Sequence, residues 1–315
     1  MKLKLKHIFF IFIGLIVLWS CSKKAVDIIK IDEPTYKIKE NEIVYYDKWL
    51  STIPKSDSIL AKKNNDTLFV LNYNKTFDVK IAIKYPNENK IIGTILMLHG
   101  RGKNFEEWCN YSTFCEKALA NGYILIIPNL GKTNYILSDY NETEKHLRIY
   151  PTLTWLINVM VTTLQTDFSL LKPEQNNFVA GISTGARGAT FFALYLPKIF
   201  NAVASLSGDY DLTDTQNMSF YSLYLGDYYR FKNRWKQECF ASYIKKYKTP
   251  TYFAHSVNDN VVSYKQSYNC VSALEQAHPK IQFDFHLSPV GGHDYIFWES
   301  ETNNILKFFN SQVAY

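Results

Sequence analysis

Two kinds of apolar run alternate along the chain. DTLFVLNYN and FDVKIAIKYP change side at every second residue, which predicts antiparallel strands with one covered face. IIGTILMLHG and YILIIPNL are almost continuously apolar, as expected of strands buried on both faces of a parallel sheet. NNFVAGIS, NAVASLSG, TPTYFAHS and IQFDFHLSP read as further strands. Between them lie segments of helical character: NFEEWCNYSTFCEKALANG, closed by Asn121-Gly122; YPTLTWLINVMVTTLQTDF, able to start at Pro151; TGARGATFFALYLP; SYKQSYNCVSALEQA; and YIFWESETNNILKFFN. Strand and helix in turn, after two leading strands, predict an α/β fold: a mostly parallel, doubly wound sheet with helices on both faces. Residues 209–249, after the sixth strand, break the alternation as a long aromatic-rich, cap-like insertion.

The first residues do not belong to this pattern. MKLKLKHIFFIFIGLIVLWSCSKK has a basic start, an apolar stretch from Ile8 to Trp19, then Ser20 and Cys21. It resembles a bacterial lipoprotein signal with Leu18-Trp19-Ser20-Cys21 as its lipobox, although Trp19 departs from the usual pattern. The resemblance implies a signal peptide over 1–20, cleavage before Cys21, lipid on its thiol and a membrane-anchored, exported protein. By the same resemblance, Ser22 in place of an aspartate implies the outer membrane. An uncleaved anchor and a plain secretory signal are the alternatives; both leave Cys21 without a role, and all three export the protein. Polar residues 21–65 read as a tether and N-terminal extension, and 66–315 as the folded domain.

Charge narrows the partners. The 315 residues carry a formal net charge of +6, and Lys2, Lys4 and Lys6 fall in the leader. So small an imbalance, with no basic run interleaved with aromatics, excludes a nucleic-acid-binding reading. Cys109, Cys115, Cys239 and Cys270 form no Cys-x-x-Cys pair, so neither zinc nor a thioredoxin-type site is expected. Cys109 and Cys115 lie six apart in a predicted helix, which would point them to different faces and make them poor partners. Buried or free thiols are expected.

In doubly wound sheets the chemistry collects beyond the carboxyl ends of the strands. There GISTG places Ser183 between Gly181 and Gly185, where a strand turns sharply into a helix and lifts the hydroxyl above the sheet. A serine needs a base, and the base an orienting carboxylate. His99 and His146 precede Ser183, His278 lies in a helix, His286 in a strand, and His255 before its acid. His293 follows the last strand, in PVGGHDYIFW. In FAHSVNDNVV, Asp259 is the candidate acid, with Asp209 and Asp211 of SLSGDYDL as competitors. The N–H of Thr184 and that of Arg101, in LMLHGRGKN, are the candidate oxyanion donors, and His99 reads as a buried structural histidine. Arg187 would either meet a substrate carboxylate or pair with a surface acid.

HGRG, GISTG, HSVNDNVV and GGHDYIFW, in that order, resemble the α/β-hydrolase superfamily over residues 66–312. SLSGDYD and GGHDYIFW bring the chain nearest to its group of esterase D-like, feruloyl and acetyl-xylan esterases. The resemblance implies a Ser183–Asp259–His293 triad, an oxyanion hole at Thr184 and Arg101, no cofactor and no metal. It implies a serine esterase acting on a carbohydrate or small-acyl ester. Gly-Arg-Gly-Lys departs from a more glycine-rich loop, and Gly185-Ala186-Arg187 lacks a second glycine. Asp209, Tyr210 and Trp298 are the expected substrate contacts, because aromatic faces suit sugar rings or aromatic acyl groups. A prolyl-oligopeptidase-type peptidase is the rival enzyme, though such enzymes carry a large N-terminal propeller for which residues 1–65 leave no room. A lipid-anchored binding protein on a retired hydrolase scaffold is the rival of another class.

Overall fold

The computed structural model describes residues 59–63, 66–87, 90–103, 105–215 and 219–314. The leader, Cys21 and the tether as far as residue 58 lie outside the described residues. Among the described residues nine strands form one sheet, in the order β1-β2-β3-β5-β4-β6-β7-β8-β9. β1 (Ile59–Lys63), β2 (Asp66–Tyr73) and β3 (Phe77–Lys84) are antiparallel, and β3 joins β5 (Tyr123–Pro128) antiparallel. From β5 through β4 (Gly93–Leu98), β6 (Asn177–Ile182), β7 (Ala202–Leu206), β8 (Thr251–Ser256) and β9 (Phe283–Ser288) the pairing is parallel. Hydropathy leaves Ile59–Lys63 in the tether; their pairing with β2 makes them the outermost strand of the sheet.

The register explains why the central strands are apolar throughout. Leu96 aligns with Ile126 and Val179, and Val179 with Val203; this row faces one core. Ile95 aligns with Leu125 and Phe178, and Phe178 with Ala202; this row faces the other. The first core is covered by Leu153–Asp167 (α3), Thr184–Tyr195 (α4) and Lys265–Ala277 (α7). The second is covered by Glu107–Tyr111 (α1), Phe114–Ala120 (α2), Tyr295–Ser300 (α8) and Thr302–Ser311 (α9). Side chains of period two thus fill two cores at once, which a strand with one wet face does not do.

Three local expectations change. The helix predicted after residue 104 is broken between α1 and α2 at Ser112, whose backbone is extended (φ −145°, ψ 160°). That break brings Cys109 and Cys115 into a disulfide with their Cα atoms 5.1 Å apart, correcting the view that they face apart; it held only for an unbroken helix. Cys239 and Cys270 are buried free thiols. Helix α3 starts at Leu153 rather than Pro151, with the Thr152 hydroxyl accepting from the Trp155 N–H, and Leu156–Val161 is π-helical.

The insertion contains short helices α5 (Ser219–Leu225) and α6 (Lys232–Gln237), flanked by 3-10 turns at Leu212–Thr215 and Phe240–Tyr243. Tyr221, Tyr224, Trp235 and Leu212 pack with Ile136 and Leu147, from the loop before α3, into a small separate core. Much of its aromatic content therefore packs the insertion against that loop.

Arg187, fully buried, neither faces a surface acid nor lies open to a substrate. It donates to Asp209 Oδ1 (3.2 Å), the Glu238 carbonyl (3.3 Å) and the Asn134 carbonyl (2.6 Å), tying α4 to the insertion. Glu238 is also fully buried; its carboxylate accepts from the Leu137 N–H (3.0 Å) and from the Tyr140 hydroxyl (2.5 Å). Burial pushes the Glu238 carboxyl up to about 7. A proton held more tightly by the folded chain stabilises it below the ordinary glutamate range, and that stabilisation is lost as pH rises to about 7. Glu238→Gln keeps an acceptor for Leu137 and Tyr140 without the charge. Thermal melts of both proteins between pH 4 and 8 should show the wild-type midpoint falling relative to the variant as pH rises; parallel curves would refute this assignment.

Candidate active site

Strand β6 ends at Ile182, and α4 starts at Thr184. Ser183 between them has φ 56° and ψ −128°, a region that side-chain-bearing residues rarely occupy. Its N–H donates to the Leu206 carbonyl (2.9 Å), and its carbonyl accepts from the Ala186 N–H (2.9 Å). A Cβ on Gly181 would lie 2.0 Å from the Gly185 carbonyl oxygen, so strand and helix backbones touch. A Cβ on Gly185 would lie 2.3 Å from the Leu98 oxygen, so the second glycine admits the end of the neighbouring strand β4.

The geometry brings the three candidate catalytic side chains together. His293 Nε2 lies 2.9 Å from Ser183 Oγ, and His293 Nδ1 lies 2.7 Å from Asp259 Oδ2. The Asp259 side chain is fully buried. Its Oδ1 accepts from the N–H groups of Val261 (2.9 Å) and Val262 (2.8 Å). Burial alone would raise the Asp259 carboxyl, but hydrogen bonds from His255, His293 and the Val262 N–H outweigh it and hold the group well below the usual carboxylate range. A charged Asp259 fixes the proton of neutral His293 on Nδ1 and turns the Nε2 lone pair to the serine. Trp298 packs edge-on against the imidazole, with centroids 5.5 Å apart, and donates from Nε1 to Ser207 Oγ (3.1 Å). Behind the histidine, Asp294 caps α8 by accepting from the Phe297 N–H.

His255, set aside in the sequence because it precedes the acid, is the residue that sequence reasoning missed. Fully buried, it places Nε2 3.1 Å from Asp259 Oδ2 and 2.9 Å from the Val262 carbonyl, with Nδ1 2.7 Å from Ser267 Oγ. Its spacing, four residues before the acid at a strand end, was the available signal.

The loop after β4 presents Gly100 to the serine: a Cβ there would lie 3.1 Å from Ser183 Cβ and 3.6 Å from Oγ. His99 anchors the loop as a buried side chain. Its Nε2 accepts from the Leu130 N–H (2.9 Å), which leaves Nδ1–H to donate to the Gly100 carbonyl (2.6 Å). Among the described residues, the Arg101 and Thr184 N–H groups have no hydrogen-bond acceptor, so both are free for an incoming oxyanion. The expected substrate contacts need correction. Tyr210 is fully buried, with its hydroxyl 2.6 Å from Ser205 Oγ, and Trp298 is 1% exposed; both fill the core. A large aromatic after a strand end serves a core as readily as a ligand, and sequence does not distinguish the two. Asp209 is buried and paired with Arg187, leaving Oδ2 without a partner among the described residues. Among the described residues no group of three or more His, Cys, Asp or Glu side chains gathers to hold a metal ion.

Residues 73–308 match the protein family described as "Putative esterase", about three-quarters of the chain. The chain belongs to this family. A curated relative, the acetyl esterase of Caldicellulosiruptor saccharolyticus, is 25% identical over 150 residues, 48% of this chain and 53% of that protein; the match spans about half of the relative's length. Among solved structures, the Staphylococcus aureus fluorophosphonate-binding serine hydrolase FphF has a TM-score of 0.60 at 18% identity, covering 79% of this chain and 99% of that one. The S-formylglutathione hydrolase of Agrobacterium tumefaciens follows at TM-score 0.59 and 13% identity, covering 81% and 98%. The acylaminoacyl peptidase of Pyrococcus horikoshii reaches 0.61 at 14% identity, covering 79% of this chain and 41% of its own. At such identities the likeness is one of fold, and the esterase-family chain has the α/β-hydrolase fold.

Gly185→Ala tests the close approach at the serine turn. The added methyl meets the consecutive carbonyl oxygens of Leu98 and His99, backbone that cannot step aside, so urea unfolding should show a loss of at least about 1–3 kcal/mol. An unchanged midpoint would show that helix and strand do not touch there.

Proposed function

We propose that this protein is a serine hydrolase that cleaves carboxylic esters through an acyl-enzyme. The observation that carries the reading is the 2.9 Å approach of His293 Nε2 to Ser183 Oγ, with charged Asp259 bonded to the far side of the ring. His293 takes the hydroxyl proton as Ser183 attacks the ester carbonyl. The oxyanion settles on the N–H groups of Thr184 and Arg101. His293 passes the proton to the departing alcohol, then activates a water that releases the acid and restores the serine. Asp259 stabilises the imidazolium in both steps and stays charged throughout.

The acetyl esterase relative supports a short acyl group, and the family match supports esters over peptides. The peptidases of similar fold are covered over less than half their length, so their activity has weaker support here. We further infer an exported, lipid-anchored protein facing the periplasm or held at the outer membrane. The Cys109–Cys115 disulfide supports passage through an oxidising compartment. Among the described residues no helix is long and apolar enough to cross a membrane.

Turnover of 4-nitrophenyl acetate and butyrate, beside an aminoacyl nitroanilide, tests the reading. Ser183→Ala should lower kcat by about 10⁶-fold and Asp259→Asn by about 10⁴-fold, the latter by reversing the imidazole tautomer. Equal rates in folded wild type and Ser183→Ala would dismiss the mechanism. A fluorophosphonate that fails to label Ser183, with carbohydrate still bound, would favour a binding protein instead.

A further inference from the structure

Arg101 has two parts with separate surroundings. Its backbone follows Gly100, which abuts Ser183. Its half-buried side chain is held by the insertion: Nε donates to the Tyr224 hydroxyl (2.8 Å), and the guanidinium carbon lies 4.5 Å from the Phe220 ring centroid and 5.7 Å from that of Tyr224. Tyr224 is fixed in turn, donating from its hydroxyl to the Lys132 carbonyl (2.7 Å). Arg187 and Arg234, which also lie along the insertion, take Asp209 and Glu142 as partners. Arg101 has no carboxylate partner among the described residues, and its two Nη groups have no hydrogen-bond acceptor there. The Nε edge is occupied by Tyr224, which leaves the Nη1–Nη2 edge, the fork that grips a carboxylate through two parallel bonds. A guanidinium stacked on aromatic rings is already ordered, so an anion docking there meets a small entropic penalty.

We propose that the Arg101 side chain is a binding site for a carboxylate on the ester substrate, carried a few bonds from the scissile carbonyl on either the acyl group or the alcohol. This rests on the esterase reading above. The reaction at Ser183 is unchanged; the arginine selects which esters reach it. Any shift of the residue 101 backbone N–H acts on charged and neutral esters alike, so the ratio between them isolates the side chain.

The test compares substrates within each protein. One pair, 4-nitrophenyl hydrogen succinate against 4-nitrophenyl butyrate, places the charge on the acyl side. The other, O-acetylated glucuronic acid against O-acetylated glucose, places it on the alcohol. Each pair is assayed with wild type, Arg101→Gln and Arg101→Lys. In at least one pair the charged-to-neutral ratio of kcat/KM should fall roughly tenfold or more in Arg101→Gln, mainly through KM, with Lys recovering part of it. The wild-type ratio in that pair should also fall with added salt, a readout that needs no variant. Salt-independent ratios that are the same in wild type and Arg101→Gln for both pairs would overturn the carboxylate site. Neutral-ester turnover that disappears in Ser183→Ala would leave the esterase reading standing in that event. Absence of any Ser183-dependent turnover would remove both.

Discussion

The rim of this sheet depends on one backbone conformation, the positive φ of Ser183. Such a conformation costs on the order of 1–3 kcal/mol and persists only where its surroundings leave no alternative. Here the serine is bonded through both its N–H and its carbonyl, to β7 and to the first turn of α4. Two glycines let the neighbouring backbones close around it. The apolar rows on both faces of the sheet hold β4, β6 and β7 in the register that makes this closure possible.

A second constraint is electrostatic. Asp259 is removed from water yet kept charged, because N–H donors from its own loop and from His255 and His293 replace the solvent it has lost. His255 also meets the Val262 carbonyl and Ser267, so the carboxylate is oriented by β8, by its following turn and by α7 together. A few ångströms of loop movement would leave a buried charge uncompensated. That is a strong reason for the turn to remain closed. The insertion is bound by buried polar groups of another kind: Arg187 finds acceptors on the chain that crosses it, while Glu238, whose burial favours the neutral form, still accepts from the Leu137 N–H.

Much of this was legible in the sequence because it is local. Continuous apolar runs marked the central strands, alternation marked β2 and β3, and the glycines around Ser183 marked the turn. The order of serine, acid and histidine selected three residues that the structure places in one hydrogen-bonded row. What escaped depends on partners distant in sequence or on one deviant backbone angle. Ser112 splits a helix whose hydropathy is continuous, and the disulfide follows from that split. β1 has too weak a pattern to stand out from the tether, and only its neighbour β2 makes it a strand. Tyr210 and Trp298 carry the composition of a binding surface but lie in the core, while Arg187 carries the composition of a surface residue and is fully buried. Sequence spacing does not report which side of a boundary a large side chain takes.

Tyr224 joins the insertion to the rim, so the two do not move separately. One hydroxyl takes the Arg101 side chain and grips the Lys132 carbonyl, so the insertion braces two of the loops that frame Ser183. It is a keystone rather than a hinged door. Replacing residues 209–249 by a foreign segment would remove Tyr224 and so release the Arg101 side chain in the loop beside the nucleophile. The insertion and that loop are therefore mechanically one unit, and a change at Tyr224 is felt by the chain next to Gly100 and Ser183.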